Sequence, residues 1–189
     1  TLLASSAASD VYKRQMNDSG YFEYNGDKPK EFGEQKYQES IKNYQQMEKR
    51  FKDLPDTRIV MVGTSPYDET VQLKENTPFK TKNETIKRLV EYQKESAAKN
   101  NWEFTDLNAP MTAINQQYQQ KDPTFTLCGS DRIHPDNDGH MVMAYLFLKA
   151  QGFVGKEVAD MEINANKKQV VKSETVSYTH LTLPTKLEV

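Results

Sequence analysis

The sequence predicts an α/β domain built around a parallel sheet. Its patterns follow one another as helix, strand, helix, strand, helix, helix. In that order crossover helices connect parallel strands and cover them. The segment Arg58-Ile59-Val60-Met61-Val62-Gly63 is a continuous apolar run, largely β-branched and without polar alternation. Such a run is expected of a strand buried on both faces. At 189 residues the chain is long enough for one domain with a substantial core.

Glu34 to Lys52 is the first predicted helix. Tyr37, Ile41, Tyr44, Met47 and Phe51 recur at helical spacing and form one apolar stripe. Leu54-Pro55-Asp56 ends it. The strand at 58–63 runs into Thr64-Ser65-Pro66-Tyr67-Asp68, a loop leaving its C-terminal end. Asn83 to Lys99 is the next helix, with Ile86, Leu89, Val90 and Tyr92 as its apolar positions. Trp102-Glu103-Phe104-Thr105-Asp106-Leu107 alternates as a second strand. Ala109 to Gln119 is predicted helical, since Pro110 is tolerated in a first turn. A loop spans Asp122 to Asp138. Met141 to Leu148 is apolar almost all round, which predicts a buried helix capped by Asp136 or Asn137. Beyond Gly155, Met161-Glu162-Ile163 and Gln169-Val170-Val171 flank a polar turn segment and predict a β-hairpin.

Composition narrows the function. Charged residues make up 28% of the chain and the net charge is -2. That balance argues against a nucleic-acid partner, which needs a basic face. No apolar run approaches the roughly 20 residues that span a bilayer, so no membrane partner is expected. Leu2-Leu3-Ala4 is too short to be the core of a signal peptide. Cys128 is the only cysteine, which rules out an internal disulfide and a cysteine-based zinc site.

Chemistry concentrates in Asp131-Arg132-Ile133-His134-Pro135-Asp136-Asn137-Asp138-Gly139-His140. Asp131 and His134 are close enough in a turn to hydrogen-bond. A carboxylate on Nδ1 fixes the imidazole tautomer and leaves Nε2 free as a general base. Pro135 keeps His134 out of a helical conformation. The same spacing also suits a polar helix-entry loop with an incidental histidine. A metal site using Asp131, His134 and His140 is a third reading. It is not a calcium loop, because Tyr145 stands where the bidentate glutamate belongs. The second cluster is Met16-Asn17-Asp18. An asparagine amide at the mouth of a sheet can donate to a developing oxyanion, although Asn-Asp is also a common turn pair.

In this order the two clusters resemble the SGNH/GDSL hydrolase superfamily. The family pattern runs Gly-Asp-Ser, a glycine, Gly-x-Asn-Asp and Asp-x-x-His. Met16-Asn17-Asp18 resembles the third block without its leading glycine, Gln15 standing there. Asp131-Arg132-Ile133-His134-Pro135 resembles the fourth, and Gly139-His140 with Met143-Ala144 looks like the family's last helix. The resemblance covers 16–155 and extends towards residue 174. It implies a three-layer α/β/α, flavodoxin-like fold and a serine esterase with no cofactor and no metal. His134 would be the general base and then the general acid, Asp131 its orienting partner, and Asn17 an oxyanion donor. The implied substrate is a small-molecule or carbohydrate ester, with acetate released from an acetylated carbohydrate. The resemblance is compatible with export and leaves the compartment and oligomeric state open. Tyr21 and Tyr67 leave strands at the C-terminal edge of the sheet, where ligands bind in open α/β folds, and are candidate substrate contacts. The competing readings are a glycan-binding module without catalysis and a metal-dependent hydrolase.

The nucleophile block is not in this sequence, since Gly-Asp-Ser occurs nowhere. Ser65 resembles a nucleophile elbow, but Pro66 follows it and has no N–H for an oxyanion hole. Ser130 is too near His134 in sequence to face it, and a lone Cys128 is more readily a buried core residue. Val11-Tyr12-Lys13-Arg14-Gln15 stands where an apolar strand belongs. Residues 1–15 and 175–189 look like translated sequencing-adapter segments and are expected to be foreign to the domain. Residues 16–155 are then a partial hydrolase domain whose nucleophile block and N-terminal strands are missing, with 156–174 as an extension. By itself such a chain is expected to be inactive and to fold poorly.

Overall fold

The structure, a computed structural model, describes residues 16–54, 56–75, 77–155, 160–164, 166 and 169–174. The two terminal segments read above as foreign lie outside the described residues, as does part of the hairpin connection.

A 3-10 turn at Phe22–Asn25 precedes helix α1, Pro29–Lys52. Strand β1, Val60–Val62, is followed by α2, Lys82–Lys99, and by strand β2, Glu103–Thr105. Helices α3, Asn108–Gln119, and α4, Asn137–Ala150, complete the first compact unit, which ends at Gly152. Strands β1 and β2 pair in parallel, Val60 with Glu103, Met61 with Phe104 and Val62 with Thr105. The α/β class expected from the sequence is what the chain adopts. A separate unit carries the antiparallel pair β3, Asp160–Asn164, and β4, Gln169–Glu174, with a register shift between Glu162 and Ile163.

The core has two clusters. Met16, Tyr67, Ile86 and Val90 form one, with Tyr21, Phe79, Phe104 and Ile133 packed against it. Leu107, Met111 and Leu127 form the other, with Val62, Ile114, Phe125, Val142, Met143 and Leu146. Paired residues of parallel strands share a face and successive residues alternate. Phe104 and Val62 therefore point to opposite faces. The strand pair lies between α2 on one side and α3 with α4 on the other. Helix α1 backs α2 through the Tyr44–Tyr92 ring contact at 6.2 Å and the Arg88–Glu34 ion pair at 2.7 Å.

Four expectations are corrected. Helix α1 begins at Pro29 rather than Glu34, because a proline at the first position is pre-set for helical φ. Strand β1 is half-buried along its whole length rather than covered on both faces. Helix α4 is not buried: Met141 is 72% exposed and Tyr145 51%, with Phe147 and Leu148 also open. Val142, Met143 and Leu146 alone reach the second cluster from this helix, since one helical stripe can face one neighbour. Asp136 does occupy the N-cap position of α4, but its side chain makes no capping bond. Its carbonyl accepts from the His140 amide at 2.8 Å instead.

Candidate active site

The loop between α3 and α4 is built to hold Asp131 and His134. Its entry is fixed where the Leu127 amide donates to Asn115 Oδ1 at 2.8 Å. Arg132 has φ +67, a left-handed conformation that costs a non-glycine residue energy. The surroundings impose it. The Arg132 side chain is 2% exposed, and its Nη1 donates to the carbonyls of Asp68 at 3.1 Å and Val71 at 2.7 Å. The Asp68 amide returns a bond to the Arg132 carbonyl at 3.1 Å. Asp68 is itself anchored: its carboxylate accepts from the Thr70 and Val71 amides, Gln119 Nε2 and Thr126 Oγ1. The loop after β1 and the loop before α4 are thus tied into one unit.

Arg132 turns Asp131 and His134 towards each other. His134 Nδ1 lies 2.5 Å from Asp131 Oδ2. Asp131 Oδ1 accepts from the amides of Ile133 and His134, both at 2.9 Å. Burial alone would push the Asp131 carboxyl up. The bonds from the His134 ring and the two amides outweigh it and hold the carboxyl below its ordinary value. An ionised Asp131 accepts, so Nδ1 carries the proton and Nε2 is left as the basic nitrogen.

Asn17 and Tyr21 meet His134 across a small cavity of about 110 Å³. Met16, Ile133, Thr64 and Ser65 complete its lining. Residues 16–18 form a helical turn, closed by the Gly20 amide on the Asn17 carbonyl at 3.0 Å and by Ser19 Oγ on the Met16 carbonyl at 2.8 Å. The Tyr21 hydroxyl donates to Asn17 Oδ1 at 2.5 Å. Burial first, and then the charge of Asp131, push the Tyr21 hydroxyl up, which keeps it a donor at neutral pH. With Oδ1 engaged, the Asn17 Nδ2 group is the free end of the amide among the described residues.

The two candidate rings part company. Tyr21 borders the cavity and its hydroxyl holds Asn17 Oδ1. Tyr67, the other candidate, is 1% exposed and stacks on Phe79 at 5.6 Å. Its hydroxyl accepts from the Phe79 amide at 2.9 Å. It borders a different cavity of about 280 Å³ with Asp68, Asn83 and Asn115, and it does not line the His134 cavity. Its ring is needed for packing. Tyr24 is buried as well, so of the aromatic cluster near Asn17 only Phe22 is strongly exposed.

Among the described residues no three His, Cys, Asp or Glu side chains gather as a metal site. Asp131, His134 and His140 therefore do not form the ligand set considered from the sequence. No helix among the described residues is long and apolar enough to cross a membrane. Cys128 is buried, and its thiol donates to the Pro66 carbonyl at 3.2 Å. Burial pushes the thiol up to about 12, with the nearby Asp68 charge adding to it. A thiol reagent at pH 8 is expected to label Cys128 at least 10-fold more slowly than the denatured chain, because the thiolate is the reactive form. Equal rates by absorbance titration would contradict this burial.

Lys82 was not legible as a site residue. It is fully buried at the start of α2. Its Nζ donates to Ser19 Oγ at 2.6 Å and to the Gly20 carbonyl, and approaches the Met16 carbonyl at 3.5 Å. Burial lowers it to about 7, against the opposing pull of Glu23 and Glu69. A signal was present: Lys82 is one turn before Ile86 and on the stripe that continues through Leu89 and Gln93, all buried.

The fold and this cavity define an α/β chain with a carboxylate–imidazole pair beside an amide donor. No protein-family model matches the chain, and no curated protein matches it. A solved structure does. It is described as BT4096, a gut microbial diltiazem-metabolizing enzyme, and is 82% identical over 85% of this chain with a TM-score of 0.75. This chain spans 36% of the length of that structure's chain.

Proposed function

We propose that this chain is the His/Asp-bearing part of an SGNH-type serine esterase that removes acetyl groups from O-acetylated substrates. The observation that carries the reading is the Asp131–His134 pair at 2.5 Å, facing Asn17 across one cavity. The serine would come from the longer protein of which this chain resembles one part. Its Oγ–H would pass a proton to His134 Nε2 as Oγ attacks the acyl carbon. Asn17 Nδ2 would donate to the oxyanion, and His134 would return the proton to the departing alkoxide. Water would then repeat the sequence on the acyl-enzyme and release acetate.

The similar structure supports the acetyl group. Diltiazem is an acetate ester of a secondary alcohol, and its deacetylation is the reaction that an Asp–His pair and an amide donor would serve once a serine is supplied. Acetylated carbohydrates present the same bond, a secondary-alcohol acetate, and are the second substrate class. No cofactor enters the proposal, and neither a nucleic acid nor a membrane is a partner in it.

The test uses a full-length protein containing this segment. It is incubated with diltiazem, and acetate and the deacetylated alcohol are measured by mass spectrometry. Equal amounts of both are expected, with Asn17→Ala slowing release by about 10²–10³-fold through loss of one oxyanion donor. Labelling with a fluorophosphonate locates the serine. Label on a serine beyond this chain supports the reading, while label on Ser65 would move the nucleophile into it. Turnover of diltiazem without acetate would defeat it.

A further inference from the structure

We propose that Lys82 is a positioning residue for the candidate oxyanion donor, an internal clamp that sets Asn17 opposite His134. The proposal rests on the esterase reading for the role of Asn17. The clamp itself rests on geometry alone.

The contacts of Nζ bracket Asn17 on both sides in sequence. The Met16 carbonyl at 3.5 Å precedes it, while Ser19 Oγ at 2.6 Å and the Gly20 carbonyl follow it. The turn is otherwise tied to α2 by apolar packing, Met16 lying in one cluster with Ile86 and Val90. The turn contributes oxygen acceptors, and the N–H donors of a single buried nitrogen gather them at one point. The same nitrogen lies 4.2 Å from the centre of the Tyr21 ring, 5.7 Å from Tyr24 and 5.8 Å from Tyr67. Ring faces attract a cation, most strongly where water is excluded. Tyr21 is also the residue whose hydroxyl holds Asn17 Oδ1. Lys82 therefore acts on Asn17 by two routes. It fixes the backbone of the turn directly, and it seats the ring that orients the amide.

A lysine of purely structural use would be an expensive choice here. An apolar side chain would fill the same space without desolvating an ammonium. What an apolar side chain cannot do is hold backbone carbonyls at a chosen place. The oxyanion-hole geometry demands such placement, because a displacement of about 1 Å costs on the order of 10²-fold in rate.

The experiment compares Lys82→Met and Lys82→Arg with the wild type in the full-length protein. It reads kcat and KM for acetate release together with amide hydrogen exchange of residues 17–21. Lys82→Met is expected to lower kcat by about 10- to 100-fold with KM changed less than about 3-fold, since the donor acts in the transition state. The amide of Gly20, which closes the turn on the Asn17 carbonyl, should exchange faster in the same variant. Lys82→Arg should recover part of kcat, because it restores donors. If Lys82→Met does not fold, the wild type alone decides. The Gly20 amide, bonded to the Asn17 carbonyl, should then exchange with the protection of the first turn of α2, as residues sharing one opening event do. A wild-type turn that exchanges freely while α2 stays protected overturns the clamp, as does a folded Lys82→Met with wild-type kcat. His134→Ala is the control on the underlying reading. If it keeps full activity the esterase reading has failed, and the exchange data still judge the clamp.

Discussion

His134→Ala in the full-length protein is expected to lower kcat for acetate release by about 10⁴-fold and to leave its melting temperature within a few degrees of wild type. The size follows from what the imidazole does. A serine hydroxyl is a poor nucleophile until a base takes its proton, and an alkoxide is a poor leaving group until an acid returns it. In the proposed mechanism His134 Nε2 serves both steps, with Nδ1 turned to Asp131 at 2.5 Å. The small stability effect follows from exposure. The His134 side chain is largely open to solvent, so truncation leaves no cavity. Asp131→Asn is the sharper companion. Its amide would donate where the carboxylate accepts, which forces the other tautomer and leaves no basic nitrogen towards the cavity. It should cost activity on the same scale with only a small loss of stability, since the asparagine Oδ1 can still accept from the amides of Ile133 and His134. Steady-state kinetics and thermal melting separate the two effects. A His134→Ala protein with more than a tenth of wild-type kcat would remove the histidine from the mechanism.

The histidine pair was legible in the sequence because it is local. Residues three apart in a turn must be near each other, and a proline after the histidine narrows the backbone choices. The helices were legible for the same reason: periodicity is a local property, and Ile86, Leu89 and Val90 mark a buried face without reference to anything else. What failed was information about neighbours. Met141 to Leu148 has the composition of a buried helix, but burial depends on what lies opposite, and in this chain Met141 and Tyr145 face solvent. Tyr67 sits at the correct edge of the sheet for a substrate contact. Its ring turns inward, where Phe79, twelve residues on, provides a stacking partner. Arg132 and Lys82 were passed over because cations default to the surface. Both are buried, and each gathers backbone carbonyls from a distant segment. The two halves of the candidate site are therefore positioned by residues whose own sequence neighbourhoods say little about them.

Gly129 is a second position where one contact sets the loop, through the His134 backbone. Gly129→Ala is expected to destabilise the full-length protein by about 2–4 kcal/mol and to reduce acetate release well beyond the population lost to unfolding. Gly129 has φ +68, and a Cβ built there would lie 2.2 Å from the His134 carbonyl oxygen and 3.3 Å from its carbon. The obstacle is backbone, and it cannot swing aside as a side chain would. It belongs to the catalytic histidine candidate itself, followed by the buried ring of Pro135. Relief must come from moving residue 129 or residue 134. Moving 129 disturbs the carbonyl that accepts from the Arg132 amide at 3.1 Å. Moving 134 lengthens the contact with Asp131. Gly152→Ala is the matched control. Gly152 has φ +73 and nothing within 4 Å of its would-be Cβ, so it reports the left-handed backbone penalty alone, about 1 kcal/mol. The difference between the two variants in urea denaturation isolates the contact with His134. A difference near zero would mean that Gly129 does not meet His134 in solution, and the loop geometry on which the catalytic reading depends would have to be redrawn.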